Sequence, residues 1–465
     1  MSKLATNPDL PPEIILLILG HIVGHHNVLS FLHVFPHLAS SPTLSHRQIH
    51  GADRNDGSIL HYIAGQEGNS DLLDLLAALL TNPNTDPNFY HSLDDEDSDA
   101  SEDASEDTSE DGSEVDCPDP YGSLSTPLTE ATYWGHLAAV QVLLTHPSIV
   151  PNRPGKSNRW PLPLAATNGH TAIVSALLTH AAAADPPTCL NLTTSLLLAA
   201  THNHVAIIAQ LLAHADATPN GLGAAANKLL TNAAVNGSTD VVELLVRRAD
   251  LDPNGEGQGL MSPLAWAAMR GDLEVMGMLL QREGTCADAN LRDWNGWTPL
   301  HWAVKESQLM AVKMLLQRDD VDVNARERRG ASALGIAAGA GLVGVVTTLV
   351  GNGRVDVNAS DDEGFTPLLR AAFGNHVGVM EVLIECEKVD VHARSVRGET
   401  ALAVAAWSGR VDAVALLLAR SDADVNARDN GGRTVLALAI GGLSAVREAD
   451  YYAAEKLLRE HGAIK

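Results

Sequence analysis

The sequence predicts an all-α fold, in which short helix pairs with outward hairpin fingers between them stack into a solenoid. Three observations predict it. One slot recurs at Thr126, Trp160, Thr194, Lys228, Ser262, Thr298, Ser332, Thr366, Thr400 and Thr434, every 34 residues except for one step of 36. Most of its occupants cap helices, because a short hydroxyl side chain can accept from the free N–H groups of a first turn. Eight residues before that slot stands Asn152, Asn220, Asn254, Asn290, Asn324, Asn358 or Asn426, with Pro186 and His392 in the two departing copies. Finally, the chain is 45% hydrophobic but only 4% aromatic, which suits thin helices packed through Ala, Leu and Val.

The clearest unit runs from Trp297 to Ala325. Thr298 caps its first helix and Pro299 fits the first turn, where no N–H is needed. Leu300 and Ala303 give that helix a small apolar face. Val312, Leu315 and Leu316 give the second helix its own, and Val321-Asp322-Val323-Asn324 turns the chain outward. One unit of this size cannot bury its apolar face alone, so stacking neighbours makes the core.

The chain in order reads as follows. Asp9 caps a helix opened by Pro11-Pro12, and Ile14, Leu17, Ile18 and Ile22 share one face of it. His25-His26-Asn27 breaks that run, and Val28 to Phe35 forms a second amphipathic stretch ending at Pro36. A first repeat unit follows, with Leu60 to Ala64 in one helix, Leu72, Leu73, Leu75 and Leu76 in the next, and Asp86-Pro87-Asn88 closing it. Asn88 lies 38 residues before Thr126 instead of eight, so an insertion of 30 occupies that finger. Thirteen acidic residues fall between Asp94 and Asp116, with no Lys or Arg from Asn55 to Asn152. Such a run repels itself and buries nothing, so disorder is expected there. One reading makes it a tolerated loop expansion. The other makes it a tail for basic partners or for acid-directed phosphorylation, since Ser92, Thr108 and Ser113 each have an acid three residues on. Helix pairs then continue to Lys465. The fourth and fifth lack the usual start, reading Thr194-Ser195-Leu196-Leu197 and Lys228-Leu229-Leu230-Thr231, and are expected to be the softer part. The last carries an insertion from Gly441 to Asp450, and Glu455, Lys456, Arg459 and Glu460 give it a polar outer surface.

The near-33 period, the T-P-L-H start and the D-V-N-A end resemble the ankyrin repeat, from about Asn55 to Lys465. Leu10-Pro11-Pro12-Glu13-Ile14, Ile18-Leu19, Val28-Leu29 and Phe31 to Phe35 resemble an F-box, although the basic residues usual in its second half are absent. The resemblances divide the chain into an F-box-like helical module (1–50), a first ankyrin unit (51–90), an acidic insertion (91–122) and an array of about ten further units (123–465). The F-box resemblance implies docking on the Skp-type adaptor of a cullin–RING ubiquitin ligase through Leu10, Pro11, Ile14, Leu17 and Ile18. The alternative is that these helices only cap the first repeat. The ankyrin resemblance implies protein partners held by the fingers and concave face. The residues expected there are Tyr133, Trp134, Arg270, Trp294, Trp297, Lys305, Phe365, Phe373 and Trp407, because an exposed aromatic makes a good interface anchor. Packing between neighbouring fingers is the other reading of the same aromatics.

Nothing in the sequence points to catalysis. Gly339-Ala340-Gly341-Leu342-Val343-Gly344 fits G-x-G-x-x-G, but a phosphate cradle of that kind follows a strand, and here Gly341 falls on the turn between two helices. His61 and His301 hold the T-P-L-H slot and read as structural. His21/His25 and His33/His37 have a zinc-compatible spacing but no assured third ligand. No cofactor or metal is expected. The net charge of −26 disfavours nucleic acid, which phosphate repulsion would exclude. Four scattered cysteines suit a reduced intracellular setting, in cytoplasm or nucleus, and no membrane or secretory segment is evident. A monomer is expected.

Overall fold

The computed structural model describes residues 59–65, 70–88, 126–153, 159–183, 191–216, 224–248, 251–255, 261–281, 286–419, 422–441 and 448–464. The F-box-like residues Leu10, Pro11, Ile14, Leu17 and Ile18, the histidine pairs near them and the acidic run lie outside these residues. The chain divides into two compact units, Met1–Leu222 and Gly223–Lys465.

In the first unit, helix pairs are α1 (Ile59–Ala64) with α2 (Ser70–Leu80), α3 (Pro127–Trp134) with α4 (Leu137–Leu144), α5 (Pro161–Thr167) with α6 (Thr171–Ala183), and α7 (Leu192–Thr201) with α8 (Val205–Asp216). In the second they are α9 (Ala224–Asn236) with α10 (Thr239–Val246), α11 (Pro263–Arg270) with α12 (Leu273–Leu280), α13 (Pro299–Lys305) with α14 (Leu309–Leu316), α15 (Ala333–Gly339) with α16 (Val343–Val350), α17 (Pro367–Gly374) with α18 (Val377–Glu385), α19 (Ala401–Trp407) with α20 (Val411–Leu418), and α21 (Val435–Gly441) with α22 (Glu448–Glu460). Within each unit, first helices pack on first helices and second helices on second, which makes two layers. Leu300, Ala303, Val304, Val312 and Leu315 of the clearest unit are fully buried between them, as are their counterparts Leu334, Ala337, Val346 and Leu349. Burying each such Leu or Val contributes roughly 2 kcal/mol, so the apolar seam supplies most of the cohesion.

Six of the predicted caps form, whereas Thr298 of the clearest unit has no cap hydrogen bond of ordinary geometry from the N–H three residues on. Thr126, Ser262, Ser332, Thr366, Thr400 and Thr434 each accept the N–H three residues on. Thr194 and Lys228 do not cap, because α7 and α9 begin earlier, at Leu192 and Ala224, and enclose them. Both helices run longer, to 10 and 13 residues. At the far end, the expected insertion is shorter than 441–450, since residues 448–450 already belong to α22.

The fingers are less sheet-like than expected. Among the described residues the only pairings are single bridges, Arg326 with Ser332 and Arg428 with Thr434. A side chain closes the turn instead. The Oδ1 of Asp361 accepts N–H from Glu363 and Phe365, and Asp293 and Asp429 serve their own turns in the same way. Gly364 completes the turn with φ +77°, and a Cβ there would lie 2.5 Å from the Val396 nitrogen of the next finger. Neighbouring tips are therefore close enough for backbone bonds: Arg328 donates to Asn295, Asp362 to Arg329, Val396 to Glu363 and Asn430 to Arg397.

Two further ladders join neighbouring repeats. In five repeats the Asn before the finger uses both ends of its amide. Asn324 donates to the Arg354 carbonyl at 2.8 Å and accepts from the Asp356 N–H at 2.7 Å. Asn88, Asn290, Asn358 and Asn426 repeat this pattern. At the helix turns, a side chain reaches back to the last turn of the preceding first helix. His170 donates to Tyr133, His204 to Thr167, His376 to Gly339, Gln308 to Met269 and Arg410 to Phe373, at 3.0–3.3 Å. His136 reaches Ala64 likewise. The acceptors are carbonyls that a short helix leaves unpaired at its end.

His301 is fully buried. Its Nδ1 accepts from the Thr298 hydroxyl at 2.9 Å and the Thr298 N–H at 3.2 Å, while Nε2 has no hydrogen bond of ordinary geometry. Burial pushes its pKa down to about 4, with the Ala331 and Ala325 backbone offsetting only part of that.

Two predictions follow from these bonds. Asn324→Ala should cost about 1 kcal/mol, since it removes two solvent-accessible hydrogen bonds to the next repeat, whereas His392→Asn should add about 1 kcal/mol by restoring the missing rung; urea unfolding of both variants checks this. Because the neutral imidazole is favoured in the fold, the stability due to His301 is present above pH 6.5 and lost as pH falls towards 4, by at most about 3 kcal/mol. His301→Gln keeps an acceptor for Thr298 but does not titrate, so the gap between its stability curve and that of the unaltered chain should change across that window.

Candidate recognition surface

The first helices and fingers of the second unit present the residues that the sequence singles out. Their positions follow from the repeat: the last turn of each first helix puts Met269 and Arg270, Lys305 and Glu306, Gly339 and Ala340, Phe373 and Gly374, or Trp407 and Ser408 at equivalent places.

The densest cluster lies at the repeat beginning with Trp297. Its indole meets that of Trp302 at 4.9 Å between ring centres, tilted by 50°, and meets the His301 ring at 6.0 Å. Trp302 donates its indole N–H to Asp293 Oδ2 at 3.1 Å, which fixes the ring. Lys305 Nζ then stands 5.0 Å from one indole centre and 5.2 Å from the other. The aromatic faces hold this ammonium by cation–π attraction, and it has no carboxylate partner. Trp297 is thus half-buried packing that orients a cation, while Trp294 at the finger tip is 63% exposed.

Two repeats further on, Asp361 accepts from the Arg370 guanidinium at 2.5 and 2.9 Å. Phe365 is half-buried and meets the exposed Phe373 edge-on, with centres 6.3 Å apart. Trp407 is also exposed. Arg270 is exposed and lies over Gly237, without an ion pair. In the first unit, Tyr133 and Trp134 form an edge-on pair at 5.1 Å, and Trp134 donates to Glu130 at 2.8 Å.

The sequence reading overlooked the aspartates that organise these clusters. Asp293, Asp361 and Asp429 recur at 68-residue spacing, each three residues before a Gly and five before a Thr, a pattern that marks a side-chain-closed turn. It also gave no role to the residue after each helix turn, which reaches back to the preceding repeat. Gly339 ends α15 and Gly341 is the turn, with φ +74°, so G-x-G-x-x-G spans a helix–turn–helix. Among the described residues no cluster of three metal-ligating side chains occurs, and no helix is long and apolar enough to cross a membrane.

Asp293→Ala should release the Trp302 indole and two finger N–H groups. The Trp302 indole proton should then shift and exchange faster in NMR spectra, with a stability loss of about 1–3 kcal/mol.

Residues 230–327 and 319–395 match the family model for ankyrin repeats in three copies, and residues 397–430 match the single ankyrin repeat. No curated protein matches the chain. The matched stretch is an ankyrin-repeat array, and the fold is an all-α ankyrin-repeat solenoid.

Proposed function

We propose that this protein is the substrate-recognition subunit of an SCF-type ubiquitin ligase. Its ankyrin repeats make it a protein–protein interaction module, a class that is generally non-enzymatic. The observation that supports the finer reading is the opening Leu10-Pro11-Pro12-Glu13-Ile14 with Leu17 and Ile18, whose apolar residues suit a Skp-type adaptor. The array then holds a client near the ligase, so that the protein supplies proximity and no bond chemistry. An intracellular setting, in cytoplasm or nucleus, goes with this role.

Co-purification of the full chain with a Skp-type adaptor and cullin tests it, beside a Leu10→Asp, Ile14→Asp variant of matching helicity. Adaptor retained by the unaltered chain and lost by the variant is expected. Adaptor bound by neither overturns the ligase reading and leaves a non-degradative scaffold whose N-terminal helices cap the array.

A further inference from the structure

We infer that the first-helix face of the second unit binds an extended peptide that carries two acidic residues and, after a short spacer, two bulky apolar ones. The inference rests on the array being a protein-recognition module but not on the ligase role.

The order of side chains along the face carries it. Arg270 and Lys305 come from adjacent repeats and neither forms an ion pair. Lys305 is already held between two indoles, so a carboxylate would meet a cation that has lost much of its rotamer freedom. Glu306 is the one carboxylate at these places, and it forms no ion pair with either cation. The next repeat offers no side chain there: Gly339 occupies the equivalent place, and Gly335 lies one turn earlier. Arg370 lies beside both glycines, 3.7–3.9 Å from where their Cβ atoms would be, with its charge taken by Asp361. Arg370 thus covers both glycines, and this repeat adds neither a free charge nor a large apolar group to the face. Beyond it stand Phe373, 46% exposed, and Trp407, 44% exposed. Exposed aromatic side chains such as these are where a partner's hydrophobic side chains gain most.

Spacing sets the partner's pattern. Packed helices lie about 8–10 Å apart, so Lys305 and Phe373, two repeats apart, are separated by about 16–20 Å. An extended chain covers that in about five or six residues at about 3.3 Å each. By the same measure the two acids stand about three residues apart, as do the two apolar residues. The partner is therefore acidic at one end and apolar at the other, despite this chain's net charge of −26.

Selection from a displayed library of random peptides of about 14 residues, on the full-length protein, tests the inference. The expected peptides carry the acid pair and the apolar pair at that spacing. Arg270→Glu with Lys305→Glu should weaken them at least tenfold, as should Phe373→Ser with Trp407→Ser, while both variants keep the helicity and cooperative unfolding of the unaltered chain. Peptides without acids, or peptides that bind the Arg270→Glu, Lys305→Glu variant equally well, would overturn the inference and leave protein recognition standing. No enrichment on well-folded protein would remove both the inference and recognition by this face, whatever the adaptor experiment shows.

Discussion

A helix of eight residues leaves four N–H groups and four carbonyls without partners inside itself. Most of the described helices have nine residues or fewer, and the structure depends on where those groups go. The leading N–H groups are met within the repeat by Thr or Ser caps. The trailing carbonyls of the first helices are met by the next repeat, through His170, His204, Gln308, His376 and Arg410. Second helices are treated alike: Arg318 donates to Leu280, and Arg354 and Asn352 donate to Leu316. A repeat taken alone would expose both its apolar face and its unpaired carbonyls, so apolar stacking and polar closure each require a neighbour.

The parts of the fold set by local chemistry were legible in the sequence. Period, caps, Thr-Pro starts and the Asn slot follow from short-range preferences, and repetition made each visible several times. What was not legible depends on contacts some 34 residues away in sequence. The residue after the helix turn varies among His, Gln, Arg, Asp, Ser and Leu, so no single letter repeats, although several of these share the ability to donate backwards. The Asn slot was read as a turn, and its use as a bridge appears only when the next repeat is in place. Aspartates at 68-residue spacing skip alternate copies, where Glu327 and Ser395 stand in, and this hid the clamp. Thr194 and Lys228 failed as caps because their helices begin two and four residues earlier, so both residues lie inside a turn already formed.

The site shows the same division. The exposure of Trp294, Phe373 and Trp407 accords with their places in the repeat, since side chains at equivalent positions share one face. Trp297 and Phe365 were grouped with them, yet both are half-buried and serve Lys305 and Phe373 respectively. Periodicity gives the face on which a residue lies, whereas packing against a neighbour decides whether it anchors a partner or positions one that does. A face fixed at both ends of every helix presents its side chains with little freedom left to lose, and recognition benefits from that.

The central claim is that each repeat closes the polar groups of the next. Hydrogen exchange at four equivalent amides tests it most directly. Asp322, Asp356 and Asp390 donate to Asn290, Asn324 and Asn358 of the preceding repeat. Asp424 follows His392, and its N–H has no protein partner among the described residues. The first three amides should exchange slowly and that of Asp424 fast, with His392→Asn slowing it. Equal exchange at all four would contradict the claim and leave apolar stacking alone as the bond between repeats.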